Sequence, residues 1–259
     1  MATSGFSGVS SAGVEIIAHR GASHDAPENT VASFELGWKQ VADAGELDIR
    51  MSQDRQIVVI HDADTKRTTG TSGLVARRTM AELRALDAGS WKGPQWKSER
   101  LPLLSEALRT IPDGKRMFIE IKCGPEVLSI LGDTLRASGK RPEQLVLIGF
   151  KYATVAQAKQ RFPHLAVYWI VGHGKDKKTG QEPPSLEEMI SRAKAAHLDG
   201  LDLNFKFPID AAFVAKVRAA GLKLFVWTVD DAAVAARLVA AGVDGITTNR
   251  PAWLRAQLP

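Results

Sequence analysis

Eight short apolar runs, each followed by a longer stretch of helical period, constrain this 259-residue chain more than any other feature. Residues 14–18, 46–49, 117–121, 144–149, 165–170, 200–203, 223–227 and 244–247 have the length and apolar character of buried parallel strands. The stretches between them, among them 30–43, 126–137, 185–196, 210–220 and 230–241, set apolar residues three and four apart, as crossover helices do. Gly221 and Gly242 stand where C-terminal helix caps belong. Eight such units in about 250 residues is the size of a TIM (β/α)8 barrel. The expected fold is therefore α/β, with residues 1–259 as one barrel domain.

Two interruptions break the repeat. The apolar run 56–60 follows the second strand too closely for a crossover helix. It reads as an extra hairpin strand: if Asp54-Arg55 is a two-residue turn, Asp48 lies directly across from His61, whereas without a glycine there either the turn is longer or Arg55 takes a strained positive φ. Residues 62–102, which carry Trp91 and Trp96, read as a small inserted cap segment too short for a core of its own. The 172–184 loop, with Lys175, Lys177 and Lys178, reads as a solvated turn in preference to a phosphate clamp.

Composition narrows the partners. Hydrophobic residues at 44% and charged residues at 24% are ordinary for a globular chain and exclude a disordered one. No apolar run reaches about 18 residues, and residues 1–13 have neither the basic nor the apolar region of a leader, so no membrane insertion is expected. The single cysteine, Cys123, excludes an internal disulfide, fits a cytoplasmic protein, and is expected to pack rather than react. The 34 basic residues exceed the 29 acidic ones by five, but they are spread along the chain without a basic, aromatic-interleaved stripe. Nucleic acid is not an expected partner.

Charged residues inside barrel strands are costly unless paired or bound to metal. Three strands carry them: the first ends in His19-Arg20-Gly21, the second contains Glu46-Leu47-Asp48, and the third ends in Glu120-Ile121-Lys122. Residues two apart share a face of a strand, so three carboxylates converge from neighbouring strands at the carboxyl ends, where barrel active sites lie. Carboxylate oxygens are hard ligands suited to Mg²⁺ or Ca²⁺, and the lack of thiolates argues against structural zinc. One such cation, with Arg20 and Lys122 as further positive charge and two histidines to pass protons, would suit phosphoester chemistry. Taken alone, Glu46 with Asp48 could equally be an ion-paired solvated face, and a lone strand-end histidine is usually structural, as expected of His24, His164, His173 and His197. Trp227 either stacks on a substrate or plugs the barrel.

Particular motifs sharpen this reading. His19-Arg20-Gly21-Ala22, Ala26-Pro27-Glu28-Asn29-Thr30, Glu46-Leu47-Asp48-Ile49 and Val58-Val59-Ile60-His61-Asp62 resemble the glycerophosphodiester phosphodiesterase family in residues and in spacing. Further matches run from Arg67-Thr68-Thr69-Gly70 through Asp87-Ala88-Gly89-Ser90-Trp91, Arg100-Leu101-Pro102-Leu103-Leu104, Glu120-Ile121-Lys122 and Trp227-Thr228-Val229 to Asp244-Gly245-Ile246-Thr247. The resemblance implies hydrolysis of small-molecule glycerophosphodiesters to sn-glycerol 3-phosphate and an alcohol. It implies Glu46, Asp48 and Glu120 as ligands of one Mg²⁺ or Ca²⁺ ion, His19 and His61 as the acid/base pair, and Arg20, Lys122 and Trp227 as substrate contacts. It further implies attack by the substrate's own 2-hydroxyl, giving a cyclic phosphate that water opens. Asn29 or Thr30 is expected to cap the first helix, and Glu28 to orient a neighbouring cation.

Two positions depart from the family. Arg55 stands where a glycine usually follows the turn aspartate, and Asn249 stands where aspartate is commoner. The second is expected to affect a structural hydrogen bond and to touch none of the proposed ligands. Rival readings are a lysophospholipase D-type or broader phosphodiesterase on the same site, and a non-catalytic ligand-binding barrel, from which this chain differs by keeping both histidines and all three acids.

Overall fold

The computed structural model describes residues 13–175 and 180–258. Residues 1–12, read above for a leader, and Lys177 and Lys178 of the 172–184 loop lie outside the described residues. Eight parallel strands close into a barrel: β1 (Glu15–Ala18), β2 (Ala44–Met51), β4 (Arg116–Ile121), β5 (Leu145–Gly149), β6 (Ala166–Val171), β7 (Gly200–Asn204), β8 (Lys223–Trp227) and β9 (Gly245–Thr248). The sheet runs β1-β9-β8-β7-β6-β5-β4-β2, and pairing of β1 with β2 closes it. The ninth strand, β3 (Ile57–Val59), lies outside the barrel, antiparallel to β2.

Strand alternation splits the core into two layers. Outward side chains such as Ile16, Leu47, Ile119, Leu147 and Leu201 pack against the helices, whereas Ile17, Ala44, Phe118, Val146, Ile148, Tyr168, Ile170 and Phe225 fill the barrel interior. At the amino-terminal end the interior is sealed by an ion pair between Glu15 and Arg116, whose guanidinium lies 5.2 Å from the centre of the Phe118 ring.

Helices Val31–Lys39, Leu128–Ala137, Leu186–Ala195, Ala211–Ala219 and Ala232–Ala241 fall within the expected stretches. Thr30, Ser185, Asp210 and Asp231 cap four of them with side-chain oxygens, the arrangement that satisfies free N–H groups of a first turn. Gly242 ends the last of these at φ +89°, the left-handed cap expected of it. Asp230, placed in that helix by periodicity, lies outside it and turns toward the mouth.

The hairpin differs from expectation by one residue. Ile49 pairs with Val59, so Asp48 lies opposite Ile60 and not His61; the Ile60 N–H donates to the Asp48 carbonyl at 3.0 Å. The cause is the turn, which has three residues. Ser52 and Gln56 close it, Arg55 N–H donates to the Ser52 carbonyl at 3.1 Å, and Arg55 takes the left-handed conformation at φ +61° that favours glycine.

β2 changes neighbour along one edge, pairing first with β1 at Ala44 and Gly45 and then with β3 from Ile49 onward. Between these stretches the chain splays, and Asn29 fills the gap. Its Oδ1 accepts from the Asp48 backbone N–H at 3.2 Å and its Nδ2 donates to Asp48 Oδ2 at 2.8 Å. Asn29 is 2% exposed and sits at φ +59°. Removing its amide leaves a buried donor and a buried carboxylate oxygen short of partners, and alanine is poorly suited to the left-handed backbone. Asn29→Ala is expected to cost about 2–4 kcal/mol in urea unfolding, whereas a change at exposed Asp133 should leave the midpoint in place.

Candidate active site

The inward parity that fills the lower barrel with apolar side chains brings acids up at the mouth. Above Ala44 on β2 come Glu46 and Asp48; above Phe118 on β4 comes Glu120, paired in register with Asp48. All three are buried, and each presents a carboxylate oxygen within 4.8 Å of the others. Two cations stand among them. Arg20 Nε lies 3.2 Å from Asp48 Oδ2, and Lys122 Nζ lies 2.7 Å from Glu120 Oε1 and 3.3 Å from Asp48 Oδ1. The Arg20 backbone N–H donates to Glu46 Oε2 at 2.8 Å.

These neighbours separate the acids. Burial and the charges of Asp48 and Glu120 push Glu46 well above the usual carboxylate range, and burial with Asp48 pushes Glu120 up to about 7. Burial also opposes ionisation of Asp48, but Lys122, Arg20 and His61 outweigh it and bring it down to about 2. Asp48 Oδ1 and Glu120 Oε1 are buried without a properly directed hydrogen bond. Hard oxygens crowded together and under-satisfied are the donor set a hard divalent cation takes, so Glu46, Asp48 and Glu120 fit such an ion.

Both histidines face this cluster with a fixed tautomer. His19 Nδ1 lies 2.7 Å from Asn249 Oδ1, while Asn249 Nδ2 donates to Asp230. Because the Asn249 nitrogen must face the Asp230 carboxylate, its oxygen faces His19 and accepts; the His19 proton is therefore on Nδ1 and Nε2 is free. His61 Nδ1 donates in the same way to Asp62 Oδ1 at 2.7 Å. Asp62 is held by Arg67 at 2.6 Å, Arg67 grips Glu28 at 2.7 and 2.8 Å, and Glu28 accepts from Arg20 at 2.9 Å. One chain of charge thus links the inserted segment to the mouth, with Glu28 orienting Arg20. Burial and the adjacent Arg20 hold the His19 imidazole down at about 4, and burial lowers His61 as well.

His19, Arg20, Glu46, His61, Glu120, Lys122 and Trp227 line one pocket, which Ile148, Ile170 and Phe150 also border. Asp48 lies behind it, fully covered. Trp227 forms part of the wall, its ring edge-on to Phe150 at 5.4 Å. His24, His164, His173 and His197 do not line it. Cys123 is partly buried at the core edge, where burial pushes its thiol up to about 11. Lys175 pairs with Glu182 at 3.1 Å.

The sequence reading missed or misplaced several groups. His61 reaches the pocket by the bend after β3 and not by cross-strand register. Asn249 touches none of the three proposed ligands, as expected, but its hydrogen bond to the His19 ring has no counterpart in the sequence reading. Asp62 and Arg67 were recognised only as parts of motifs. Charged residues enter a fourth strand as well: Asp202 on β7 is 3% exposed, lines the pocket, and is pushed up to about 8 by burial and Glu120. The parity rule that exposed Glu46 would have found it, since Gly200-Leu201-Asp202-Leu203 sets an acid in phase with the inward face.

The arrangement of acids, imidazoles and cations matches known proteins across most of the chain. Residues 19–253 fit the model of the glycerophosphoryl diester phosphodiesterase family. The chain belongs to this family. A glycerophosphodiester phosphodiesterase of Caldanaerobacter subterraneus is 34% identical over 243 residues, covering 92% of this chain and 95% of that one. Among solved structures, an Oleispira antarctica phosphodiesterase in complex with the product sn-glycerol-3-phosphate superposes with a TM-score of 0.83 at 30% identity, covering 95% of this chain and 96% of the other. The glycerophosphodiester phosphodiesterase of Agrobacterium tumefaciens does so with 0.77 at 27%, covering 94% and 99%. The chain is accordingly an enzyme of phosphodiester hydrolysis with a buried acidic cluster suited to a metal ion. No helix among the described residues is long and apolar enough to cross a membrane.

The raised carboxyls make metal and pH interdependent. A carboxyl whose folded pKa lies above its unfolded one adds stability below the unfolded value and loses it as pH rises through the folded value. For Glu120 that window runs from the ordinary carboxyl value of 4.5 to about 7. In chelator, the melting temperature of the wild type relative to Glu120→Gln should therefore fall across this window. Added Mg²⁺ or Ca²⁺ should raise the wild-type melting temperature more at pH 8 than at pH 5.5, because at low pH protons compete for the same oxygens; scanning calorimetry checks both.

Proposed function

We propose that this chain, acting as one catalytic domain, hydrolyses glycerophosphodiesters to sn-glycerol 3-phosphate and an alcohol by histidine acid/base catalysis through a cyclic phosphate. The observation that carries the reading is the closure of three buried carboxylates within 4.8 Å beneath two imidazoles with free Nε2 atoms. The Oleispira relative bound to sn-glycerol-3-phosphate supports the product class. One Mg²⁺ or Ca²⁺ held by Glu46, Asp48 and Glu120 would supply positive charge to a phosphoryl oxygen. The lone cysteine suits a cytoplasmic setting.

The chain's own groups divide the remaining work. Arg20 and Lys122 face the same oxyanion as fixed cations, so the charge that builds at phosphorus meets charges already in place. His19, kept neutral by burial and Arg20 and backed by an uncharged amide, is suited to take a proton at Nε2. His61, lowered by burial, is backed by the Asp62 carboxylate, which favours the protonated form and orients the ring, so it is suited to give one. In the first step the glycerol 2-oxygen bonds to phosphorus and its proton passes to His19. The phosphorus–headgroup bond breaks, and the departing oxygen takes the His61 proton. In the second step water adds to phosphorus, its proton goes to His61, and His19 returns the first proton as the ring opens at the 2-oxygen. Intramolecular attack gains from proximity that two separate molecules lack.

Three results test this reading. Release of glycerol 3-phosphate from glycerophosphocholine should vanish in chelator and return with Mg²⁺ or Ca²⁺. His19→Ala and His61→Ala should each lower kcat by about 10²–10⁴ with cation binding intact by calorimetry, whereas Glu46→Ala should weaken both; full turnover in either histidine variant would refute the assignment. A diester lacking the glycerol 2-hydroxyl should not be cleaved, and its hydrolysis at an undiminished rate would exclude obligatory cyclisation.

A further inference from the structure

Asp202 has no task in the chemistry above, and its position is costly. Its carboxyl stands at the wall of the pocket on β7, 3% exposed, with Oδ1 buried and without a hydrogen-bond partner. No cation pairs with it among the described residues, in contrast to Asp48 and Glu120, which share Lys122. Its own backbone carbonyl is occupied, accepting from Trp227 Nε1 at 3.2 Å, which holds this stretch of β7 to β8. A buried carboxyl left short of hydrogen bonds weakens the fold unless a ligand completes it.

The geometry of the barrel limits that ligand. In the closed order of strands, β7 stands across the mouth from β2, so Asp202 faces the acids and cations from the opposite wall. The phosphoryl group belongs with Arg20 and Lys122 on the β1–β2–β4 side. What reaches Asp202 is the part of the substrate beyond the phosphorus, and the unmet need there is for a hydrogen-bond donor. A quaternary ammonium headgroup has no N–H to offer, and Lys122, 5.3 Å from the centre of the Phe150 ring, already puts positive charge beside that aromatic wall. A hydroxyl meets the need, because it can bond a carboxyl in either protonation state. With the glycerol 2-hydroxyl engaged at phosphorus between the imidazoles, the remaining hydroxyl of the glycerol unit is the terminal one.

We infer that Asp202 is a specificity-determining residue that binds the free terminal hydroxyl of the glycerol unit, so that the site selects fully deacylated glycerophosphodiesters over lysophospholipids. This rests on the phosphodiesterase reading above. An acyl group on that oxygen removes the proton it would donate and leaves the buried Asp202 Oδ1 without its partner. The headgroup then points to solvent, where varied alcohols can leave.

The test is a cycle of two enzymes and two substrates on the cation-loaded protein. Wild type and Asp202→Ala are compared on glycerophosphocholine and on its analogue with propane-1,2-diol in place of glycerol, which keeps the 2-hydroxyl and lacks the terminal one. Wild type should favour glycerophosphocholine by about 10- to 100-fold in kcat/KM. Asp202→Ala should lose that factor on glycerophosphocholine alone, so that its two substrates become equal. Asp202→Asn keeps the shape and an acceptor oxygen, and should retain part of the preference even where alanine impairs folding. Equal losses on both substrates would assign Asp202 a structural role and overturn the inference, as would a wild type that does not distinguish the two. A loss that follows replacement of choline by ethanol, and not removal of the hydroxyl, would overturn it in favour of headgroup recognition. If wild type cleaves neither diester, the phosphodiesterase reading itself fails and this inference fails with it.

Discussion

Three carboxyl groups forced side by side in a buried mouth are the constraint around which the rest of the molecule is arranged. Strand pairing leaves no choice in the matter: Asp48 and Glu120 are register partners, and Glu46 lies two residues below Asp48 on the same face. Such crowding cannot persist with every group ionised and unpaired. The chain relieves it with Arg20 and Lys122, with the Asn29 amide at Asp48, and with the Arg20 backbone N–H at Glu46. What relief remains to be found is of the kind a hard cation gives. The features that make the cluster costly to the fold are therefore the ones that make it useful to a phosphodiester.

The flanking imidazoles are held by two different devices. His19 rests on an amide that is itself turned by Asp230, while His61 rests on a carboxylate tied through Arg67 and Glu28 back to Arg20. A neutral partner and a charged one give the two rings unequal tendencies to hold a proton, although their side chains are identical. The inserted segment gains a function from the same network. Arg67 lies within residues 62–102, so this segment is bound to the mouth by charge as well as by the packing of Val75, Met80, Leu83 and Ala88 against Val58 and Ile60.

Much of this could be read in advance. The barrel strands were legible because each is a short apolar run whose character depends on its own residues, and the acids were legible because alternation is a local property of a strand. The His61 register was not, because it turned on whether Arg55 would adopt a left-handed backbone, which its side chain disfavours and the hairpin imposes. The hydrogen bond of Asn249 to His19 was not legible because the two lie 230 positions apart in the chain. A shorter separation, 39 residues, hid the partnership of Arg67 with Glu28. Asp202 was hidden by nothing physical; a lone acid in an apolar strand carries the same signal as Glu46.

By itself, the order of residues determined which side chains point inward and at what height, since parity along a strand and the spacing of apolar positions along a helix are set within a few residues. It also determined the family, through motifs whose members are close neighbours in the chain. Only closure of the barrel decided which inward groups share a space: that β1 meets β9 and puts Asn249 on His19, that β3 bends His61 over Asp48, and that Asp202 looks across at them unpaired. Those contacts join segments far apart in sequence, and their free energy depends on burial and low dielectric, which exist only once the sheet has closed.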